Sequence, residues 1–155
     1  AGGLGQFGIQ FLKLQSDAKV IATDLSSDKL ARALAVGADE VASPTELDGT
    51  FDAIIDFVGA QNTLELMAKH VARQGTAVLV GIFGGKIPFG FGAVPHEARF
   101  MTSIWGTQGQ LGELLALANK HELKHSVEAL PLASAQEAHE RLIAGTVAGR
   151  IALVP

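Results

Sequence analysis

The chain has no cysteine, which at once excludes disulfides, thiolate metal sites and a cysteine nucleophile. Charge is scarce too: Lys, Arg, Asp and Glu make up 18% of the 155 residues, and the net charge is −4 at pH 7. That balance gives no electrostatic ground for nucleic acid or an anionic membrane as a partner. No apolar run approaches the roughly 20 residues that span a bilayer. The first residues lack the basic region and cleavage site of a signal peptide. These absences lead to the expectation of a soluble, cytoplasmic protein. What the chain does have is apolar content, 48%, enough at this length to bury a core.

The apolar pattern changes period several times along the chain. Residues 5–15, "GQFGIQFLKLQ", place Phe7, Phe11, Leu12 and Leu14 at helical spacing, and "KVIAT" (19–23) reads as a buried strand ending before Asp24. A helix is expected over 26–38, with Ser26 as a plausible N-cap and Gly37 just past its end. Strands follow at 39–43, 51–59 and 76–82, with a helix at 61–72. The glycine- and proline-rich stretch 83–97 reads as loop or irregular edge strand. Beyond it, the pattern predicts a strand at 98–106, a helix at 110–122, an edge strand at 125–132, a helix at 134–145 and a closing strand at 150–155. Ser134 and Glu137 have capping-box spacing. This alternation predicts one α/β domain built on a parallel sheet with helices on both faces.

The opening residues, "AGGLGQFG", carry chemistry. Gly3, Gly5 and Gly8 have G-x-G-x-x-G spacing, which lets backbone approach a pyrophosphate at a helix N-terminus. In a chain with 18 glycines a lone match is weak, so context decides. Gly8 lies at the start of a helix, a strand follows, and that strand ends at Asp24, where a carboxylate can accept from an adenosine ribose. The same carboxylate repels the 2′-phosphate of NADP, and only Lys29 argues the other way, so NAD is expected. One element is lacking: the strand that normally leads into such a turn.

These residues, with "VIATD", "SDKLARALAVGAD", "DFVGAQNTLE", "VGIFGG", "SIWGTQGQL" and "GRIALVP", resemble the coenzyme-binding part of zinc-dependent medium-chain alcohol dehydrogenases. The bacterial NAD-dependent secondary alcohol dehydrogenases are the nearest type, and the resemblance runs from the first residue to the last. It implies a Rossmann-type, doubly wound parallel sheet cut just after its first, central strand, with residues 1–155 as the NAD-binding part. The zinc ligands and proton relay would lie in a catalytic domain absent here, so no catalytic or metal residue is assigned. "SPTELDGT" (43–50) departs from the family, which often has a helix there.

The resemblance also implies roles. Gly3, Leu4 and Gly5 would cradle the pyrophosphate, with Gly8 allowing close helix–sheet packing. Asp24 and Lys29 would contact the adenosine ribose. Val58 and Gly59 would sit over the cofactor at the carboxyl end of the sheet. Gly81, Ile82, Trp105 and Gly106 would line the nicotinamide, Trp105 also facing the substrate, and Arg150 would clamp the cofactor. A plain core role is an alternative for Val58 and Ile82, packing or interface for Trp105, and a solvated surface position for Arg150. Asp52 and Asp56 are given no catalytic role. The family pattern further implies a homodimer or homotetramer formed through 86–104.

Three other readings compete. A zinc-independent quinone or enoyl reductase would favour NADPH and a basic residue at Asp24. A non-catalytic NAD-binding module needs only the cofactor site. The third rests on "HELKH" (121–125), formally the H-E-x-x-H of zinc proteases; the flanking Lys120 and the interior Lys124 make an exposed helix end the better reading. Loss of a central strand would leave a gap beside "VIAT" and "AIIDFV", and predicts poor solubility for these residues alone.

Overall fold

A computed structural model describes residues 2–155. The chain divides into two compact units, Ala1–Thr45 with Leu117–Pro155, and Glu46–Ala116. Every ladder in both units is parallel, as expected for strands joined by helical crossovers.

In the first unit, α1 (Gly5–Gln15) leads to β1 (Ile21–Thr23), then α2 (Ser27–Ala35) and β2 (Glu40–Ala42), which pairs with β1. Ser26 caps α2 as its type predicts, its Oγ accepting from the Lys29 amide at 3.4 Å. Ile9, Val20, Ala33 and Ala38 form the core, flanked by Leu12, Ala22, Val36 and Val41. The entry to β1 is held by Asp39, which accepts from the Val20 amide at 2.7 Å and pairs with Lys13 at 2.9 Å. The unit's remaining residues form β6 (Val127–Pro131), a 3₁₀ turn (Leu132–Ser134), α5 (Ala135–Ile143) and β7 (Arg150–Val154), with β6 and β7 paired.

The second unit holds a sheet in the order β3-β4-β5: β3 (Phe51–Asp56), β4 (Val71–Leu79) and β5 (Arg99–Thr102). Helix α3 (Gln61–His70) packs Leu64 and Met67 with Val71 and Ala77, and α4 (Gln108–Lys120), whose residues up to Ala116 belong to this unit, follows β5.

Four expectations need correction. The capping box at Ser134 does not form: the 3₁₀ turn runs directly into α5, so Ser134 is already coiled (φ −88°, ψ 15°) and makes no side-chain cap. Glu137 instead faces Arg141 at 3.8 Å. Helix α3 stops at His70 and β4 begins at once at Val71, five residues before the expected start, with a register shift against Phe51–Ala53. β4 ends early as well, at Leu79, because the Val80 and Gly81 amides both turn to the Asp56 carbonyl (2.8 and 3.0 Å). The helix expected over 110–122 ends at Lys120 and residues 121–126 form none, so His121 and His125 share no helical face, in keeping with the rejection of the zinc-protease reading.

Among the described residues, β1 pairs only with β2 and β3 only with β4, so each keeps an unpaired edge. Residues 43–50 hold turns and no helix, as their departure from the family pattern suggested.

Candidate functional site

Residues expected at the site fall in both units. In the first, the glycine turn leads into α1, with Leu4 as N-cap and its carbonyl accepting from Phe7 and Gly8 (3.0 and 3.1 Å). The first amides of a helix have no intrahelical acceptor, and with the helix dipole they favour an anion. Leu4 is exposed, Gly5 buried, and Gly3 and Gly8 are half-buried. Gly3 has no room for a side chain: a Cβ there would lie 2.9 Å from both Arg150 Cδ and the Gly149 carbonyl oxygen. Arg150 therefore lies against the glycine turn while itself exposed, a position that suits both the clamp and the solvated-surface alternative.

Asp24 sits just beyond β1, where its Oδ1 accepts from the Ser26 amide at 3.1 Å and meets Lys29 Nζ at 4.0 Å. Partial burial acts to raise the pKa of this carboxyl. The Ser26 hydrogen bond and the Lys29 charge are among the causes that outweigh burial and hold it below the usual carboxylate value. An ionised carboxylate at the end of the strand that follows a glycine turn and its helix has the chemistry to accept from a ribose. Lys29, the one cation that argued for NADP, is turned to Asp24.

In the second unit, Val58–Gly59 and Gly81–Ile82 meet beyond the carboxyl ends of β3 and β4. Gly59 is buried at φ +74°, and a Cβ on it would land on the Gly81 carbonyl. A Cβ on Gly81 would in turn fall inside the Val58 backbone. Val58, Ile82 and Trp105 are 44%, 78% and 90% exposed, which overturns the core alternative for the first two and internal packing for Trp105. Trp105 also holds a left-handed backbone, φ +60°, unusual for so large a side chain. Gly106 is exposed beside it.

Sequence reasoning left Asp56 without a role, and the structure gives it one. This carboxylate, 7% exposed, accepts from the Val58 and Gly59 amides (2.8 and 3.1 Å) and from the Thr63 hydroxyl (2.8 Å). Thr63 Oγ1 also accepts from the Ala60 amide at 3.0 Å, a cap that Ala60 cannot supply itself. Asp56 thereby shapes the turn that carries Val58 and Gly59. An acidic residue ending a strand three residues before a glycine, with Thr seven positions on, was the available signal.

Among the described residues no three His, Asp or Glu side chains gather to hold a metal, so no step is assigned to zinc. The glycine turn, the helix start and the ionised Asp24 do fit a dinucleotide.

Comparison with known proteins follows the same lines. A family profile described as "Zinc-binding dehydrogenase" matches residues 3–120. An alcohol dehydrogenase of Geobacillus stearothermophilus is 32% identical over 162 residues, which cover 98% of this chain and 48% of that protein. An NAD-dependent alcohol dehydrogenase of Sulfurisphaera tokodaii is 30% identical over 167 residues, with 99% and 48% covered. The crystal structure of the alcohol dehydrogenase from the hyperthermophilic archaeon Aeropyrum pernix matches with a TM-score of 0.90 at 32% identity, over 99% of this chain and 48% of that one. The chain has the Rossmann-type α/β fold and spans about half the length of the relatives it matches.

Proposed function

The chain belongs to the zinc-binding dehydrogenase family, and on that premise we propose that it is the cofactor-binding portion of an NAD-dependent alcohol dehydrogenase. The parent protein would move hydride between a primary or secondary alcohol and NAD. One observation carries the reading: a glycine turn opening α1, with ionised Asp24 at the end of the strand that follows. Bound NAD supplies the hydride acceptor; the residues here hold and orient it. Backbone of Gly3, Leu4 and Gly5 receives the pyrophosphate, with Arg150 as a counter-charge across the turn. Asp24 and Lys29 receive the ribose. Val58 and Gly59 sit over the cofactor, and Gly81, Ile82, Trp105 and Gly106 offer close backbone and exposed apolar contact to the nicotinamide end. The reductase alternative is not favoured, because Asp24 is a carboxylate that opposes a 2′-phosphate.

Calorimetric titration with NADH, beside Asp24→Ala and with NADPH as competitor, tests the assignment. Saturable NADH binding weakened by Asp24→Ala is the expected result. Equal affinity for NADPH would overturn the choice of NAD. The 155 residues alone are expected to bind cofactor without oxidising alcohol, which a coupled NADH assay checks.

For the assembly, a homodimer or homotetramer through residues 86–104 is the reading supported by Phe89 and Phe91 (83% and 99% exposed) and by β5 at the end of its sheet. Light scattering of wild type and Phe91→Asp decides it: the variant should be monomeric. We place the protein in the cytoplasm, in keeping with a chain that has no cysteine to oxidise; cell fractionation tests that.

A further inference from the structure

Gln6 occupies an unspecified (x) position of the glycine motif, yet the residue is 5% exposed and both ends of its carboxamide are used. Nε2 donates to the Gly3 carbonyl at 3.3 Å, and Oε1 accepts from the Ser126 amide at 3.0 Å. Ser126 continues the connection: its carbonyl accepts from the Arg150 amide at 2.9 Å, and its hydroxyl donates to the Ala148 carbonyl at 2.6 Å. Gly149 lies at φ +99°, so close to Ser126 that a Cβ would strike the Ser126 carbonyl. The ring closes where Gly149 and Arg150 abut Gly3.

We propose that this ring of Gln6, Ser126 and 148–150 braces the glycine turn, making Gln6 a positioning residue for the cofactor pyrophosphate. The inference rests on the NAD-binding reading above. Its physical basis is the planarity of the peptide unit. The Gly3 carbonyl and the Leu4 N–H belong to one trans peptide and point in opposite directions. Tying the carbonyl to Gln6 aims the Leu4 N–H away from Gln6, toward the open side of the turn. Glycine backbone is costly to order, so a turn held before the ligand arrives spares that cost on binding. The brace uses residues beyond the 3–120 span that the family profile covers. A neighbouring clip supplies the control: the Gln10 side chain, one helical turn on, bonds the Lys124 backbone and the Gln6 carbonyl (2.9 Å), and none of these bonds reaches Gly3, Leu4 or Gly5.

The test measures NADH and AMP affinity by calorimetry, well below the melting temperature, for wild type, Gln6→Met and Gln10→Met. AMP presents its ribose to Asp24 but carries a single phosphate. Gln6→Met is expected to raise the NADH Kd about tenfold, the worth of roughly one hydrogen bond, while AMP changes less than about threefold. Gln10→Met is expected to lower the melting temperature and leave the NADH Kd unchanged. Should Gln6→Met not fold, Ser126→Ala, which breaks the outer bond of the ring, is expected to weaken NADH binding selectively in the same way. Wild-type affinity for NADH in Gln6→Met, or in its replacement Ser126→Ala, overturns the brace alone. So does equal loss of NADH and AMP affinity in both glutamine variants. A wild-type chain that binds neither ligand overturns the cofactor reading, and the brace with it.

Discussion

Gln10 bonds both backbone groups of Lys124: its Nε2 donates to the Lys124 carbonyl and its Oε1 accepts from the Lys124 amide, each at 2.7 Å. A side-chain amide here does what a neighbouring strand would do, and it holds an otherwise irregular segment against α1. The Lys124 ammonium reaches Ala35 O at 3.1 Å, a cation at the carboxyl end of α2, where the helix dipole favours it.

Gln10→Met keeps the length of the side chain and removes both bonds to Lys124, together with the one that Nε2 donates to the Gln6 carbonyl at 2.9 Å. It should cost about 1–2 kcal/mol, because the Lys124 backbone groups lose their partner. Thermal denaturation should show a fall of a few degrees. An unchanged melting temperature would mean that water replaces the amide at no cost.

Asp56 and Thr63 should behave as a unit. Thr63→Val removes the hydroxyl donor to Asp56 and the acceptor for Ala60, and should cost about 1–3 kcal/mol. Asp56→Ala should cost at least as much, since the Val58 and Gly59 amides lose their acceptor. In a double-mutant cycle the two losses should be less than additive. Full additivity would show that the two groups act separately.

The Gly59–Gly81 approach admits no side chain. Gly81→Ala should destabilise by about 3 kcal/mol or more, because the Val58 backbone has to move. Gly59→Ala adds left-handed strain to a clash with the Gly81 carbonyl, about 1–3 kcal/mol from the strain alone. Val58→Ala, at a half-exposed position, should stay within about 0.5 kcal/mol. Urea denaturation of the three variants separates them.

Acid should loosen the β1–β2 region by way of Asp39. The Val20 amide first, then Lys13, hold its carboxyl below the ordinary value of 3.8. A carboxyl with a depressed folded pKa contributes stability that is fully present above its unfolded pKa and lost as pH falls through the folded one. The melting-temperature difference between wild type and Asp39→Asn should therefore be largest at neutral pH. It should shrink below about pH 4, where the unfolded carboxyl begins to protonate. A difference independent of pH would remove the carboxylate charge from the explanation.

Much of the fold was legible because its signals are local. The shifts between helical and strand spacing located α1 at its observed bounds and α2, β1 and β3 to within about three residues of theirs, and Ser26 announced the start of α2. Asp24 was legible as well, because a strand end 21 positions after Gly3 is a fixed distance along one βαβ unit. The capping box at Ser134 had the right residues and failed, because the preceding 3₁₀ turn had already coiled the backbone. β4 began early for a similar reason: pairing of Val71 with Phe51 overrode a local pattern that favoured more helix.

The sequence by itself determined the order of elements, the glycine turn and the carboxylate that answers it, since each depends on neighbours within one or two turns of chain. Only the tertiary structure decided that Gln6 and Gln10 are buried. Their partners, Ser126 and Lys124, lie 120 and 114 positions away, and no periodicity in α1 records them. The same holds for Gly59 against Gly81 and for Arg150 across Gly3. Contacts of that kind depend on backbones meeting after long excursions, and one polar or glycine residue looks much like another until the partner is in place.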